Sequence, residues 1–512
     1  MTKRKYGQYF TIKPIADFMV ALLTHPKSAR VLEPSCGQGV FLRALAEQGF
    51  GNVSAYEIDA TLRPPFPFVR YESFVSSPME ERFDVIIGNP PYIRWKNLEP
   101  ELKEELAGSA LWQRHFNSLC DYLYLFILKS VEQLTEGGEL VFICSDYWLN
   151  STHARSLREV LQTCGAFSDI YRFKETPLFE GVTASLMIFR YVKGATLRSA
   201  PITLHTYRDT AAPTLKQLLL GECFSTRTIP QFSDASRWLL ADAKESQTIA
   251  RLESVCQTPS DDLFRSRHVT IGNVCDIGNG MVSGLDKAFK IEHPETLNEQ
   301  ECAALIKVYK AKDLAPLANT SHCHYFFLRE RLSAETFKRH YPNVLRQLQR
   351  FQGELRKRYN YGRELPLWEF AFPRNERLFS STRKRILVPC KERISHKSYF
   401  RFAFAESDVY PLQDVTCLMP KPSCRESIYY ILGFLNTTVV FTWLKHNGIT
   451  KGDIVEFSEA PLSRIPFRAI DWGNPREVAV HNAIDRIVRD KIASHAGAEA
   501  LPDLNAAFGE LL

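Results

Sequence analysis

Asn89-Pro90-Pro91-Tyr92 is the stretch best equipped for chemistry, because it gathers hydrogen-bond acceptors that have little freedom to move. Consecutive prolines fix φ and carry no N–H, so the Asn89 side-chain oxygen and the Pro90 carbonyl form a stiff acceptor set. Tyr92 adds an aromatic face with a polar tip. Two stretches upstream offer complementary chemistry. In Glu33-Pro34-Ser35-Cys36-Gly37-Gln38-Gly39 an acid precedes a glycine turn that lacks the third glycine of Gly-x-Gly-x-x-Gly. An acid there repels a diphosphate and suits a cationic amino-acid moiety. Glu57, twenty-four residues after Glu33, opens Glu57-Ile58-Asp59 and is spaced to accept hydrogen bonds from ribose hydroxyls. Together they specify an adenosine-containing cofactor without phosphates. Cys36 is read as packing, since the chemistry needs no thiol nucleophile.

These residues need strand ends to hold them. Residues 83–88 form an apolar run with a sharp stop, the pattern of a buried parallel strand that presents its carboxyl end to a crevice. Further strands are expected at 29–33, 53–56, 68–71, 140–144, 167–173 and 186–191. Helices are expected at 15–23, 40–45, 121–134 and 154–162, the third ending at Gly137-Gly138. Thr11 leads into the first helix, either as a simple cap or within reach of a ligand. Strands alternating with helices imply an α/β, doubly wound, mostly parallel sheet. Its first, second and fourth strands carry the chemistry at their ends.

Length and charge bound the rest. A chain of 512 residues, 45% hydrophobic and 24% charged, holds two to four globular domains. Twelve cysteines without a Cys-x-x-Cys pair suit reduced thiols in a cytoplasm. His322-Cys323-His324 is read as packing rather than a metal site. No run approaches the length of a membrane span. The net charge of +6 is unevenly spread: residues 1–200 carry 22 basic and 22 acidic side chains, whereas residues 329–401 carry 19 and 7. A basic tract of that density points to a polyanion. Its core is Arg356, Lys357, Arg358, Arg383, Lys384 and Arg385, interleaved with Trp368, Tyr399 and Phe400, and these basic residues are the ones expected to meet it. The glycine-rich stretch around 278–284 reads as a hairpin turn rather than a phosphate cradle. A terminal helix over 476–492 carries an apolar face.

The first 190 or so residues resemble the gamma-class amino-group DNA methyltransferases, which methylate adenine N6 with S-adenosylmethionine. The resemblance rests on motif order: the Thr11 segment, the glycine loop, Glu57, then Asn89-Pro90-Pro91-Tyr92. It implies a seven-stranded methyltransferase sheet in a cofactor-binding catalytic domain, residues 1–240, followed by an α+β target-recognition (DNA-specificity) domain, residues 241–512. Position by position, Thr11, Glu33, Ser35, Gly37 and Gly39 would surround the methionine part of the cofactor, and Glu57 would hold the ribose. Ile58, Phe74, Pro91 and Phe126 would sandwich its adenine, with Asn89 beside them. The family usually has Asp before the Phe equivalent to Phe74; here that position is Ser73, so either Ser73 or neighbouring Glu72 replaces it or the cofactor is held more weakly. Catalysis falls to Asn89, Pro90, Tyr92 and Phe179, the two aromatics stacking on an adenine flipped out of double-stranded DNA. A separate cognate endonuclease is the implied partner, and the protein acts on DNA as a monomer. No fused nuclease is expected, because the motifs begin at residue 8. Two other readings stay open: methylation of RNA or of a protein glutamine amide, and a non-catalytic DNA-binding subunit of a larger defence complex.

Overall fold

The computed structural model describes residues 9–78, 80–174, 176, 178–179, 185–194, 198–209, 211–258, 267–318, 321–359, 362, 364–394, 397–451, 454–495 and 497–511. They form two compact units, Met1–Ser246 and Gln247–Leu512. In the first, α1 (Lys13–Ala21) leads to β1 (Val31–Glu33), α2 (Val40–Glu47), β2 (Val53–Tyr56), β3 (Val69–Arg70) and β4 (Phe83–Gly88). Two short helices follow, α3 (Pro100–Gly108) and α4 (Ala110–His115). Then α5 (Tyr122–Gln133) runs straight into β5 (Leu134–Ser145), and α6 (Arg155–Cys164), β6 (Gly165–Lys174), β7 (Leu186–Lys193), β8 (Ile202–Tyr207), α7 (Leu215–Leu220) and β9 (Phe224–Ile229) complete it.

The strands make one sheet in the order β3-β2-β1-β4-β5-β7-β6-β8-β9. The first five are mutually parallel, and β7 enters antiparallel between β5 and β6. This is the expected doubly wound sheet, with nine strands rather than seven. The extra pair, β8 and β9, continues from the free edge of β6, which would otherwise expose a row of unpaired backbone groups. Asp121 caps α5 by accepting from Leu123 N at 3.0 Å. All of that helix but Glu132 is buried, so it is a core helix. It ends earlier than Gly137-Gly138, and those glycines lie within β5. Between Phe83↔Leu134 and Val85↔Glu139 the longer strand takes five residues where β4 takes two. Gly137, at φ +77°, gives the bulge its left-handed residue.

The second unit is α+β. A four-stranded antiparallel sheet joins Cys275–Asn279, Val415–Pro420, Arg385–Pro389 and Ala403–Ala405. Two three-stranded sheets accompany it, and Ile428–Leu435 packs on the long helix Pro475–Ala493 through a face that includes Ile484 and Val488. The expected glycine hairpin is absent among the described residues. Cys275–Asn279 pairs with Val415–Pro420, and the next element is a helical turn, Asp286–Phe289. Gly280 is required by close approach, because a Cβ there would lie 2.0 Å from Leu412 O.

Arg385 corrects another expectation. It is fully buried and donates to the carbonyls of Phe379, Ser381, Ser407 and Val409, tying loops to the sheet. A side chain so enclosed cannot reach phosphate. Replacing it with leucine strands four buried carbonyls, and Arg385→Leu should cost about 3–5 kcal/mol in urea unfolding. Exposed Arg356→Ala should shift the same midpoint by under about 0.5 kcal/mol.

Candidate functional site

The carboxyl ends of β1, β2 and β4 meet in one place. The register Val31↔Val85 and Leu32↔Ile86 sets Glu33 beside Gly88 and brings Ser35 to Asn89. The Ser35 hydroxyl donates to the Asn89 carbonyl at 3.2 Å. The Asn89 amide nitrogen donates to Tyr9 O at 2.7 Å and Thr11 Oγ1 at 3.1 Å. Its oxygen is left facing the Tyr92 hydroxyl, which also lies 2.9 Å from Ile143 O. A phenol has one hydrogen to give, and an amide oxygen has two lone pairs, so Asn89 Oδ1 keeps an acceptor site. Burial pushes the Tyr92 phenol well above its ordinary value, so it stays a donor and no base. Phe179 is bridged to Thr11 through the backbone, and its ring lies 6.4 Å from Tyr92 and 6.0 Å from Tyr9. The four residues expected to act together, Asn89, Pro90, Tyr92 and Phe179, are therefore neighbours.

Beside them lies a cleft that opens to solvent. Ser35, Gly37, Glu57, Ile58, Ser73, Phe74, Asn89, Pro90, Pro91 and Phe126 line it. Phe74 and Phe126 pack with centroids 5.4 Å apart. Glu72 is exposed, while Ser73 faces the cleft beside the Tyr122 phenol. Three expected cofactor residues do not line the cleft. Thr11 is turned to Asn89, Glu33 lies fully buried behind the loop, and Gly39 holds the loop's shape. At φ +77° and with Pro64 3.0 Å from where a Cβ would sit, only glycine suits position 39. Tyr9, Phe10, Leu102 and Tyr122 line the cleft and were not singled out from sequence. Tyr9 and Phe10 adjoin Thr11, and Tyr122 follows the capping Asp121, but nothing local distinguishes them from packing aromatics.

The electrostatics follow from burial. Burial raises the Glu33 carboxyl to about 8, with Ser35 N opposing at 3.2 Å and Glu57 adding to the rise. Glu33 Oε2 has no hydrogen-bond partner among the described residues. Glu57 is also raised by burial, although it accepts from Gly37 N at 2.7 Å and Asp59 N at 2.8 Å. Two buried acids, one with an unpartnered oxygen among the described residues, fit a ligand with a cationic end and a diol, and they fit a phosphate badly. Burial beside both acids pushes the Cys36 thiol up, which leaves it inert. Buried Lys129 donates to Val75 O at 2.8 Å and Ser77 O at 2.6 Å, with Nζ 5.0 Å from the centroid of the Phe74 ring. It thereby holds the aromatic wall, and burial lowers its amine to about 8.

In the second unit the basic tract divides. Arg356, Lys357 and Lys384 are exposed. Arg358 turns inward to Ser283 O and Pro366 O, and Arg383 pairs with Asp276 at 2.8 Å. Arg385 is core, as is Phe400, while Trp368 stacks on Phe337 at 4.4 Å. Asn360 and Tyr361, read as part of the tract, lie outside the described residues.

A family model described as the Eco57I restriction-modification methylase matches residues 52–179. The chain is 42% identical to the type II methyltransferase M.HindII of Haemophilus influenzae, over 96% of its own length and 95% of that protein's. It is 40% identical to the type II methyltransferase M.HincII, also of Haemophilus influenzae, over 96% and 95% of the two chains. Its fold resembles that of the type IIL restriction-modification enzyme MmeI in complex with DNA, at a TM-score of 0.57 and 13% identity, covering 98% of this chain and 71% of that one.

Glu33 makes stability depend on pH. A carboxyl raised by folding favours the protonated native state, so its contribution is complete below about pH 4.5 and is lost progressively up to about pH 8. Glu33→Gln removes that loss. The stability of the variant relative to wild type, measured without added ligand, should rise between those pH values and level off above them.

Proposed function

The chain belongs to the type II methyltransferases of restriction-modification systems, and from that membership we propose that it transfers a methyl group from S-adenosylmethionine to N6 of an adenine flipped out of double-stranded DNA. The observation that carries the proposal is the Asn89-Pro90-Pro91-Tyr92 turn. It borders the cleft on one side and the Tyr92–Phe179 pair on the other.

The residues present suit the cofactor. Glu57, with lone pairs to spare beyond Gly37 N and Asp59 N, accepts from the ribose hydroxyls. Ile58, Phe74, Pro91 and Phe126 enclose the adenine, and Ser73 with Tyr122 meets its polar edge. Ser35 and Gly37 flank the amino-acid part, with Glu33 behind them as a buried acid for a cationic group. Bound S-adenosylmethionine supplies an electrophilic methyl group on a sulfonium. The protein supplies orientation. Adenine N6 is a poor nucleophile because its lone pair is delocalised into the ring. Asn89 Oδ1 and the Pro90 carbonyl accept its two hydrogens, favour a more tetrahedral nitrogen and stabilise the positive charge that develops on it. No group of the turn is basic, so the methylated amine gives its extra proton to water after transfer.

Flipping costs a few kcal/mol, and stacking on Tyr92 and Phe179 returns about 1–3 kcal/mol per aromatic face. Exposed Arg356, Lys357 and Lys384 contribute phosphate contacts, which set affinity and register rather than sequence choice. The reading includes action as a monomer on DNA, a separate cognate endonuclease, and the cytoplasm as its place. No helix among the described residues is long and apolar enough to cross a membrane. Nothing observed favours RNA, a glutamine amide or a non-catalytic role.

Asn89→Ala should abolish methylation in a tritiated-methyl transfer assay while S-adenosylmethionine and DNA binding persist. Normal turnover in that variant would sink the assignment. Neutralising Arg356 and Lys357 together should reduce the slope of log affinity against log salt by about 1.8; an unchanged slope places the phosphate contacts elsewhere.

A further inference from the structure

Thr11 is buried yet does not line the cleft, and its hydroxyl oxygen lies 3.1 Å from the Asn89 amide nitrogen. We propose that Thr11 is a positioning residue for Asn89, holding its amide in the orientation that presents the oxygen to the target amine. The inference rests on the reading of Asn89 as the acceptor for adenine N6.

An amide side chain has two orientations that differ by a half-turn, and its oxygen and nitrogen are nearly the same size. Only one of them is productive. An amide nitrogen turned toward the target would set donor against donor and leave the amine without its acceptor. One group selects the productive orientation and a second holds it. The Tyr9 carbonyl, 2.7 Å from Nδ2, can only accept, so the reversed amide would bring two oxygens together. The Thr11 hydroxyl takes the second N–H. With both hydrogens engaged, Oδ1 is directed away from the N-terminal segment toward the Tyr92 side. The backbone of the same residue is held separately, by the Ser35 hydroxyl on the Asn89 carbonyl at 3.2 Å. Ser35 therefore fixes where the Asn89 backbone is, the Tyr9 carbonyl fixes which way its amide faces, and Thr11 holds the amide there. A short backbone bridge ties Thr11 to Phe179 as well.

A cofactor ligand and a positioning residue differ in what their loss changes. Thr11→Val keeps the shape and removes the hydroxyl. It should lower the single-turnover methyl-transfer rate about tenfold at saturating cofactor and DNA, the effect of one hydrogen bond. The calorimetric affinity for S-adenosylmethionine should stay within twofold of wild type. Thr11→Ser restores the hydroxyl and should recover the rate to within about threefold. Thr11→Ala, which lacks the hydroxyl and the branch, repeats the comparison if the valine variant does not bind cofactor. A loss that lies wholly in cofactor affinity, or a hydroxyl-free variant as fast as wild type, overturns the proposal. Asn89→Ala runs alongside: if it methylates normally, the reading of Asn89 has failed rather than the role of Thr11.

Discussion

Two strands fifty residues apart in sequence lie side by side, and the site depends on that pairing. Because Val31 faces Val85 and Leu32 faces Ile86, the ends of β1 and β4 are level. The Glu33 carboxylate then fills the space where a side chain at position 88 would stand: a Cβ there would lie 2.3 Å from Glu33 Oε1. A glycine on one strand makes room for an acid on the other. From that fit follow the Ser35–Asn89 tether and the placement of the proline turn against the cleft. A shift of one residue in register would send Glu33 to the other face of the sheet.

The same arrangement stores unfavourable electrostatics where a ligand can relieve them. Glu33 and Glu57 are buried acids whose raised carboxyls record the cost of desolvation. A fold selected for stability alone would place apolar side chains there. Their retention is understandable if a cationic moiety and a ribose complete the cluster. Lys129 does the opposite work, since its buried amine is bound to two carbonyls and stiffens the wall that carries Phe74.

Much of the site was legible because its parts are local. Asn89-Pro90-Pro91-Tyr92, the glycine loop and Glu57 announce themselves by residue type and spacing, and the doubly wound sheet follows from alternation. The basic tract was legible only as composition. Arginine has one charge wherever it sits, and sequence does not separate Arg356 on the surface from Arg385 in the core, where it serves as a staple for four carbonyls. The glycine-rich stretch misled for a similar reason. Gly280 is there because another segment passes within contact, not because the chain reverses. Two strands beyond the expected seven extend the sheet, since an edge needs a neighbour whatever its sequence.

The sequence alone determined the chemistry on offer: stiff acceptors, paired acids, a glycine loop and a cationic second half. These are properties of residues and of short spacings. Only the tertiary structure decided which of them meet. Thr11 and Asn89 are seventy-eight residues apart, and their hydrogen bond comes from the N-terminal segment lying across the end of β4. Tyr122 reaches Ser73 because a core helix passes behind the third strand's loop. Such contacts depend on long-range register and packing, which no local pattern encodes.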